Sequence, residues 1–161
     1  MLVQSDLLKR FRCEDGVLFY IGDELPSQVK SGDIAGCKGS HGYSQIKINS
    51  VSYLSHRIIF LMFNGFLPKY VDHIDGNRAN NKIENLRECT FSQNRCNTKI
   101  YKNNKSGVKG IHWDKEHSKW KARIQFENKR ILVGRFSELQ DAKNAIIEKR
   151  NSLHGEFANN D

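Results

Sequence analysis

Asp72 and His73 stand side by side in VDHIDGNRANNKIENLR (71–87), a segment too polar to be core that holds four asparagines before residue 86. Hydrolysis of a phosphodiester needs a water made nucleophilic, positive charge on the phosphate as it becomes pentacovalent, and help for the departing oxygen. A histidine near neutral pH can take the water's proton, and a hard cation held by oxygen ligands can supply the charge. Asp72 offers one such oxygen. Neighbours on a strand point to opposite faces, so Asp72 and His73 serve one phosphate only where the strand bends or ends. A second metal ligand has to come from elsewhere, and with a helix over 91–99 either Asn94 or Asn97 brings an amide oxygen. The competing reading is a solvated turn, since Asp-Gly and Gly-Asn are common turn pairs and asparagine tolerates left-handed backbone.

The elements that must position these residues come from 161 residues, enough for one ordinary domain or two small ones, with 38% hydrophobic content for modest cores. The longest apolar run, Ile58 to Phe63, is far short of the roughly 20 residues of a bilayer span. The N-terminus meets charge within its first ten residues and has no continuous apolar stretch with a cleavage site, so the chain is expected to stay in the cytoplasm. Cys13, Cys37, Cys89 and Cys96 form no C-x-x-C pair and are expected to be reduced thiols, with no structural zinc.

The net charge is +8, and all of it follows the Asp-His segment. Residues 1–77 hold eight basic and eight acidic side chains, 78–105 seven against two, and 106–161 eleven against eight. Such a distribution suits a polyanion binder, because each neutralised phosphate releases counterions.

Along the chain, GVLFYIG (16–22) and YSQIKINSVSYL (43–54) read as strands, with Gly36, Gly39 and Gly42 between them. Ser55 is expected to cap a buried helix, HRIIFLMFNGF, that stops around Gly65 and Pro68. YVDHID is a strand ending in the polar loop, LRECT (86–90) a second, and Ser92 a cap for a helix through QNRCNTK. YKNNKSG (101–107) lacks hydrophobic pattern and reads as a linker. Beyond it, VKGIHWD, KWKARIQFE and KRILVGRF read as three strands, and Ala122, Ile124 and Phe126 alternate with Lys121, Arg123 and Gln125. Ser137 is expected to cap a final helix with apolar positions at Leu139, Ala142, Ala145, Ile146 and Leu153. That helix should cover the apolar face of the sheet and leave the basic face open.

The run HRIIFLMFNGFLPKYVDHIDGNRANNKIENLRECTFSQNRCN resembles the HNH endonucleases of phages, including the free-standing homing enzymes. D-H, N-N-x-x-x-N-L-R and Q-N occur in order at the family's separations. The resemblance implies a ββα metal unit in which Asp72 binds metal, His73 is the general base, Asn85 braces the loop between the strands, and Asn94 is the metal ligand on the helix. This is the His-Asn-Asn variant, whose all-oxygen protein ligands favour Mg²⁺, with Mn²⁺ as the alternative, over zinc. Asn80 and Asn81 are expected to shape the loop, Asp75 to make the turn, and His56 to pack or cap.

The remainder, SGVKGIHWDKEHSKWKARIQFENKRILVGRFSELQDAKNAIIEKRNSLHGEF, resembles the ethylene-response-factor DNA-binding domain of plants, which also occurs attached to phage HNH enzymes. That implies a three-stranded sheet in the major groove, with contacts from Lys109, His112, Trp113, Lys115, Trp120, Lys121, Arg123, Lys129 and Arg130. Arg123 is the specificity candidate, because arginine addresses guanine through two hydrogen bonds, and the lysines are phosphate anchors.

The expected fold class is therefore α+β, with an HNH domain over 1–100 whose ββα core spans about 69–99. A linker over 101–107 and a DNA-binding domain over 108–161, a three-stranded antiparallel sheet packed on one helix, complete it. The expected function is metal-dependent cleavage of double-stranded DNA, of the phage homing type, by a monomer or weak dimer with no protein partner, in the cytoplasm of an infected bacterial host. The alternatives are a DNA-binding regulator with a non-catalytic HNH-like unit, and a structure-specific nuclease of phage DNA processing.

Overall fold

Apolar residues at every second position make a strand only where one face is covered, and Ile46 and Ile48 are buried while Lys47 between them is exposed. In a computed structural model of the chain, which describes residues 2–23, 25–97, 100, 104–127 and 129–160, they belong to β4 (Ser44–Ile48). The chain divides into two units, Met1–Cys89 and Thr90–Asp161.

The first unit begins with α1 (Gln4–Arg10), then an antiparallel hairpin of β1 (Phe11–Glu14) and β2 (Val17–Tyr20). A three-stranded antiparallel sheet follows, with β3 (Cys37–Lys38) and β5 (Val51–Leu54) on either side of β4. Next come α2 (Ser55–Asn64) and the antiparallel pair β6 (Tyr70–His73) and β7 (Leu86–Cys89). α2 is the centre of the core: Ile58 and Ile59 are fully buried, and Leu7, Phe11, Leu18, Ile46, Val71 and Leu86 belong to the same cluster.

Three local expectations change here. The stretch 43–54 is a hairpin instead of one strand, because Asn49 and Ser50 both take positive φ (49° and 66°), which reverses the chain with no glycine. α1 had no clear sequence signal; only Leu7 of it is buried. Ser55 is already inside α2, flanked by Leu54, and its hydroxyl is buried with no hydrogen-bond partner, so it is not a cap. The far end follows expectation: Gly65 takes φ 76° and donates to Leu61 O at 3.0 Å.

The second unit opens on α3 (Phe91–Cys96). Its cap is Thr90 instead of Ser92, and Gln93 returns the bond in a capping box. Thr98 and Lys99, which the sequence assigned to this helix, lie outside the described residues. β8 (Ile111–Asp114), β9 (Lys119–Phe126) and β10 (Lys129–Phe136) form an antiparallel sheet with β9 central. α4 (Leu139–His154) packs on it through Ala142 and Ile146, which meet Ile111, Ala122 and Ile124. Ser137 does not cap α4; the flanking residue is Glu138, with no side-chain cap bond.

The division falls at Cys89–Thr90 instead of within 101–107, because α3 is tied into the second unit. Lys109 Nζ donates to Cys96 O at 2.6 Å, and Asn159 Nδ2 reaches Asn97 O and Oδ1 at 3.2 and 3.0 Å. Of the expected linker, Tyr101–Asn103 lie outside the described residues. The remainder is structured: Asn104 Nδ2 donates to Val108 O at 2.9 Å, and Ser106 Oγ to Ile111 O at 2.8 Å.

Candidate active site

Strand pairing sets opposite Asp72 the residue Arg87, and opposite His73 the residue Leu86. Asp72 and His73 are both buried, at 5% and 4% exposure, which a polar pair tolerates only with partners. Asp72 has Arg87, whose Nε and Nη2 donate to Oδ2 at 3.1 and 3.0 Å. His73 has Asn81, whose Oδ1 lies 2.9 Å from Nε2. An amide oxygen only accepts, so the hydrogen bond is made by the tautomer that carries its proton on Nε2.

Two more rings surround His73. That of His56, on the first turn of α2, meets it edge-on with centroids 4.8 Å apart, and that of Tyr43 lies 6.1 Å away. Tyr43 also stacks on His56 at 5.4 Å and carries the Arg78 guanidinium 4.8 Å above its ring. Arg78 closes the group by donating to His41 O at 3.0 Å. Burial first, then the charges of His73 and Arg57, push His56 down to about 3, so it packs as a neutral ring; its Nδ1 has no hydrogen-bond partner.

The loop between β6 and β7 is organised by Asp75 and Asn85. Asn85 Nδ2 donates to Asp75 Oδ1 at 2.9 Å and to Asn80 O at 2.7 Å, while its Oδ1 accepts from the Asp75 N–H at 3.0 Å. Asp75 also accepts from the Asn77 N–H and from Asn80 Nδ2. Burial opposes its ionisation, yet the bonds from Asn80, Asn77 and Asn85 outweigh it and hold the carboxyl below its ordinary range. Gly16, in the β1–β2 turn, abuts this loop so closely that a Cβ there would sit 2.5 Å from Lys82 N and 2.6 Å from Asn81 C. The hairpin thus buttresses the residue that holds His73.

Asn94 lies half-buried on α3, in the second unit. Asn97, the other amide considered, is buried and its Oδ1 accepts from Asn159. The four cysteines are free, and burial, then the charge of Asp72, pushes the Cys89 thiol up to about 11.

In the second unit, register sorts the expected DNA contacts by face. Ile111 pairs with Ala122 in the core, and two positions on Trp113 pairs with Trp120, so both indoles stand on the helix-covered side. They meet edge-on at 5.1 Å, and Trp120 packs against the core. The tryptophans are therefore corrected from the basic face to the opposite one. His112, Lys121, Arg123 and Arg130 occupy the outer face, and Lys115 and Lys129 are exposed at strand ends. Lys109 is half-buried with its amine on a backbone carbonyl, so it is not an open phosphate anchor.

Lys121 is also engaged, at 3.2 Å from Asp114 Oδ2, an oxygen shared with Arg135 Nε at 3.1 Å and His117 Nδ1 at 3.3 Å. Arg135, against an opposing effect of burial, and then Lys121 and His117 hold the Asp114 carboxyl well below the usual range. Asp114, Glu116 and His117 bring ligand atoms within 4.8 Å of one another, but two cationic side chains already share that carboxylate.

A model of the HNH endonuclease family matches residues 53–96, which takes in α2, β6, the loop, β7 and α3. Protein 3.8 of Escherichia phage T7 is 40% identical over 97 residues, 59% of this chain and 79% of that protein. The chain belongs to the same family as that phage protein and carries an HNH endonuclease domain. Two further relatives match shorter pieces of the HNH chain. A protein of Bacillus subtilis with the name "SPbeta prophage-derived putative HNH homing endonuclease YosQ" is 40% identical over 55 residues, 33% of this chain and 32% of its own. A protein of Acanthamoeba polyphaga mimivirus named as an uncharacterized HNH endonuclease is 48% identical over 59 residues, 35% of this chain and 31% of its own. No solved structure matches the chain significantly. Among the described residues no helix is long and apolar enough to cross a membrane.

The sequence reading missed Arg87 on Asp72 and Asn81 on His73, within the matched residues 53–96, and Tyr43 ahead of them. Arg87 carried a signal, a lone cation in the second strand of a hairpin whose first strand bears a buried acid, but pairing the two requires the register. Tyr43 lies thirty residues from His73, just ahead of β4, and no local pattern links them.

Proposed function

We propose that this chain is a metal-dependent DNA endonuclease in which His73 takes the proton from the attacking water. The observation that carries the reading is the contact of His73 Nε2 with Asn81 Oδ1 at 2.9 Å, which leaves Nδ1 as the basic nitrogen. Water approaching Nδ1 would lose its proton there as it attacks phosphorus, and Asn81 would bear the resulting imidazolium at Nε2. The rings of His56 and Tyr43 hold His73 against rotation. Asn85 keeps the loop closed through Asp75 and Asn80.

The donor set fits a hard divalent cation: a carboxylate from Asp72 and an amide oxygen from Asn94 would hold Mg²⁺ or Mn²⁺ in preference to zinc. When bound, the ion supplies the positive charge that the pentacovalent phosphate and the departing 3′ oxygen require. Arg87 orients Asp72 for that role. Products then carry 5′-phosphate and 3′-hydroxyl ends.

Double-stranded DNA is the proposed substrate, met by the outer face of the C-terminal sheet. His112, Lys121, Arg123 and Arg130 support this, joined by Gln125 and Arg135 on the same face and by Lys115 and Lys129 as phosphate anchors. A homing role is supported by the name of the prophage relative alone, and action in an infected bacterial cytoplasm by the phage source of Protein 3.8; the proposed acting species is a monomer or weak dimer.

The test is plasmid cleavage with Mg²⁺ by the wild type, His73→Ala and Asp72→Ala. Both substitutions should abolish cutting, and unchanged cutting by either rejects the assignment. One observation favours a second reading, a DNA-binding regulator: Arg87 already answers the charge of Asp72. That reading requires DNA binding in EDTA and no cleavage under any divalent ion.

A further inference from the structure

An irregularity in β10 turns Arg135 outward. Arg130 faces out opposite Gln125, and strict alternation from it would send residue 135 into the core. The register slips between Leu132 and Gly134, so Gly134 meets Ala122 on the helix side and Arg135 stands opposite Lys121 on the outer face. Two cations directly across a strand pair repel, and a carboxylate beside them offsets the repulsion. That carboxylate is Asp114, two residues along β8 from His112 and on the same face.

Asp114 is 9% exposed, and its Oδ2 accepts from Arg135 Nε at 3.1 Å. The same atom has Lys121 Nζ at 3.2 Å and His117 Nδ1 at 3.3 Å. Bonding through Nε fixes the plane of the Arg135 guanidinium and leaves Nη1 and Nη2 without a partner among the described residues. The Arg135 side chain is 33% exposed and that of Lys121 14%, so of the two cations the arginine is the one that reaches the surface. Arg123 and Arg130, also on the outer face, are exposed, and among the described residues no side-chain bond or ring contact holds either. Fixing a long side chain on a base costs rotamer entropy, and a fork already held in place loses less. Guanine presents two acceptors, N7 and O6, on its major-groove edge, a match for the paired N–H groups of one arginine.

We propose that Arg135 reads a guanine in the substrate DNA through Nη1 and Nη2, and that Asp114 is the positioning residue that holds the fork for it. The inference rests on the reading that DNA meets the outer sheet face, and goes beyond it by naming the base selected and the residue that selects it. It places base selection at Arg135, where the sequence reading looked to Arg123.

The full-length wild type in EDTA, where a metal-dependent nuclease does not cut, is mixed with a pool of random DNA duplexes, and the retained sequences are read. The wild type should enrich a guanine at a position where Arg135→Gln shows no base preference, with other preferred positions kept. At that position a guanine analogue with carbon in place of N7 should weaken wild-type binding about 5-fold or more and leave Arg135→Gln unaffected. Arg135→Lys keeps the charge without the fork, so it should lose the guanine preference while the slope of log affinity against log salt stays unchanged. Asp114→Asn should flatten the same position, and combined with Arg135→Gln should flatten nothing further. Its melting temperature is measured alongside, and if it fails to fold the two Arg135 variants decide the question. Lys149→Gln, exposed on α4, serves as control. A guanine preference kept by Arg135→Lys, or an Arg135→Gln affinity that falls equally for every sequence with a shallower salt slope, would make Arg135 a phosphate anchor and overturn the proposal. Plasmid cleavage by a wild type that shows no guanine preference would overturn it too and leave the nuclease reading standing. The expected selectivity with no plasmid cleavage under any divalent ion would do the reverse, and no DNA binding at all would remove both.

Discussion

Arg87 donates from both Nε and Nη2 to a single oxygen of Asp72, across the strand pair that presents His73. The two side chains are 13% and 6% exposed, so the pair is buried, and removing one partner strands the other's charge. Arg87→Leu should cost about 3–5 kcal/mol of stability in EDTA. Under the proposed function Mg²⁺ takes over part of the compensation, so the variant's melting temperature should rise on adding Mg²⁺ more than the wild type's does. Equal Mg²⁺ responses in the two proteins would argue against a cation at Asp72.

Asn81 was assigned a loop-shaping role from sequence, and its side chain also holds His73. With Asn81→Ala the imidazole loses the acceptor that sets its tautomer, and kcat for plasmid cleavage should fall roughly 10- to 100-fold. KM should change much less, because the residue is 5% exposed and out of reach of substrate. A loss confined to KM would contradict this role.

His56 makes two predictions of opposite sign. His56→Ala opens a hole beside His73 and Tyr43 and should cost about 3 kcal/mol, with a parallel loss of activity. His56→Phe keeps a ring and removes the unpartnered Nδ1, so its stability at neutral pH should equal or exceed the wild type's. The same residue sets an acid limb. Its folded value, about 3, lies below its ordinary 6.5, so between these pH values the unfolded chain binds the extra proton and stability falls as pH falls. Urea midpoints measured across that window should decline less steeply in His56→Phe.

Asn85 makes three hydrogen bonds within the loop, to Asp75 and Asn80. Asn85→Ala should destabilise the first unit by about 1–3 kcal/mol and speed amide exchange across residues 74–85. Exchange left unchanged there would mean that the loop is braced by other contacts.

The residues of the proposed site could be singled out because their spacing is local. Asp72, His73, Asn85 and Asn94 fall in one continuous run, and loop bonds such as Asn77 to Asp75 span only a few residues. The alternation of Ala122, Ile124 and Phe126 with cationic and polar residues was likewise readable, since a strand half-covered by a helix demands it. The hairpin at Asn49 and Ser50 was not, because its turn uses positive φ at two residues that often serve in ordinary strands and loops. The faces of Trp113 and Trp120 were misjudged because an indole suits either a core or a nucleic-acid surface, and only register chooses.

From sequence alone came the proposed acid, base and amide set, the charge asymmetry, and the three-strand-and-helix pattern of the C-terminal half, all read from residues close together in the chain. The tertiary structure alone decided which groups hold that set: Arg87 on Asp72, Asn81 and His56 on His73, and the association of α3 with the second unit. Those partners depend on strand register, on the path of a long loop and on the packing of separate elements, and such contacts are selected by burial and complementarity over the whole fold, which no local spacing encodes.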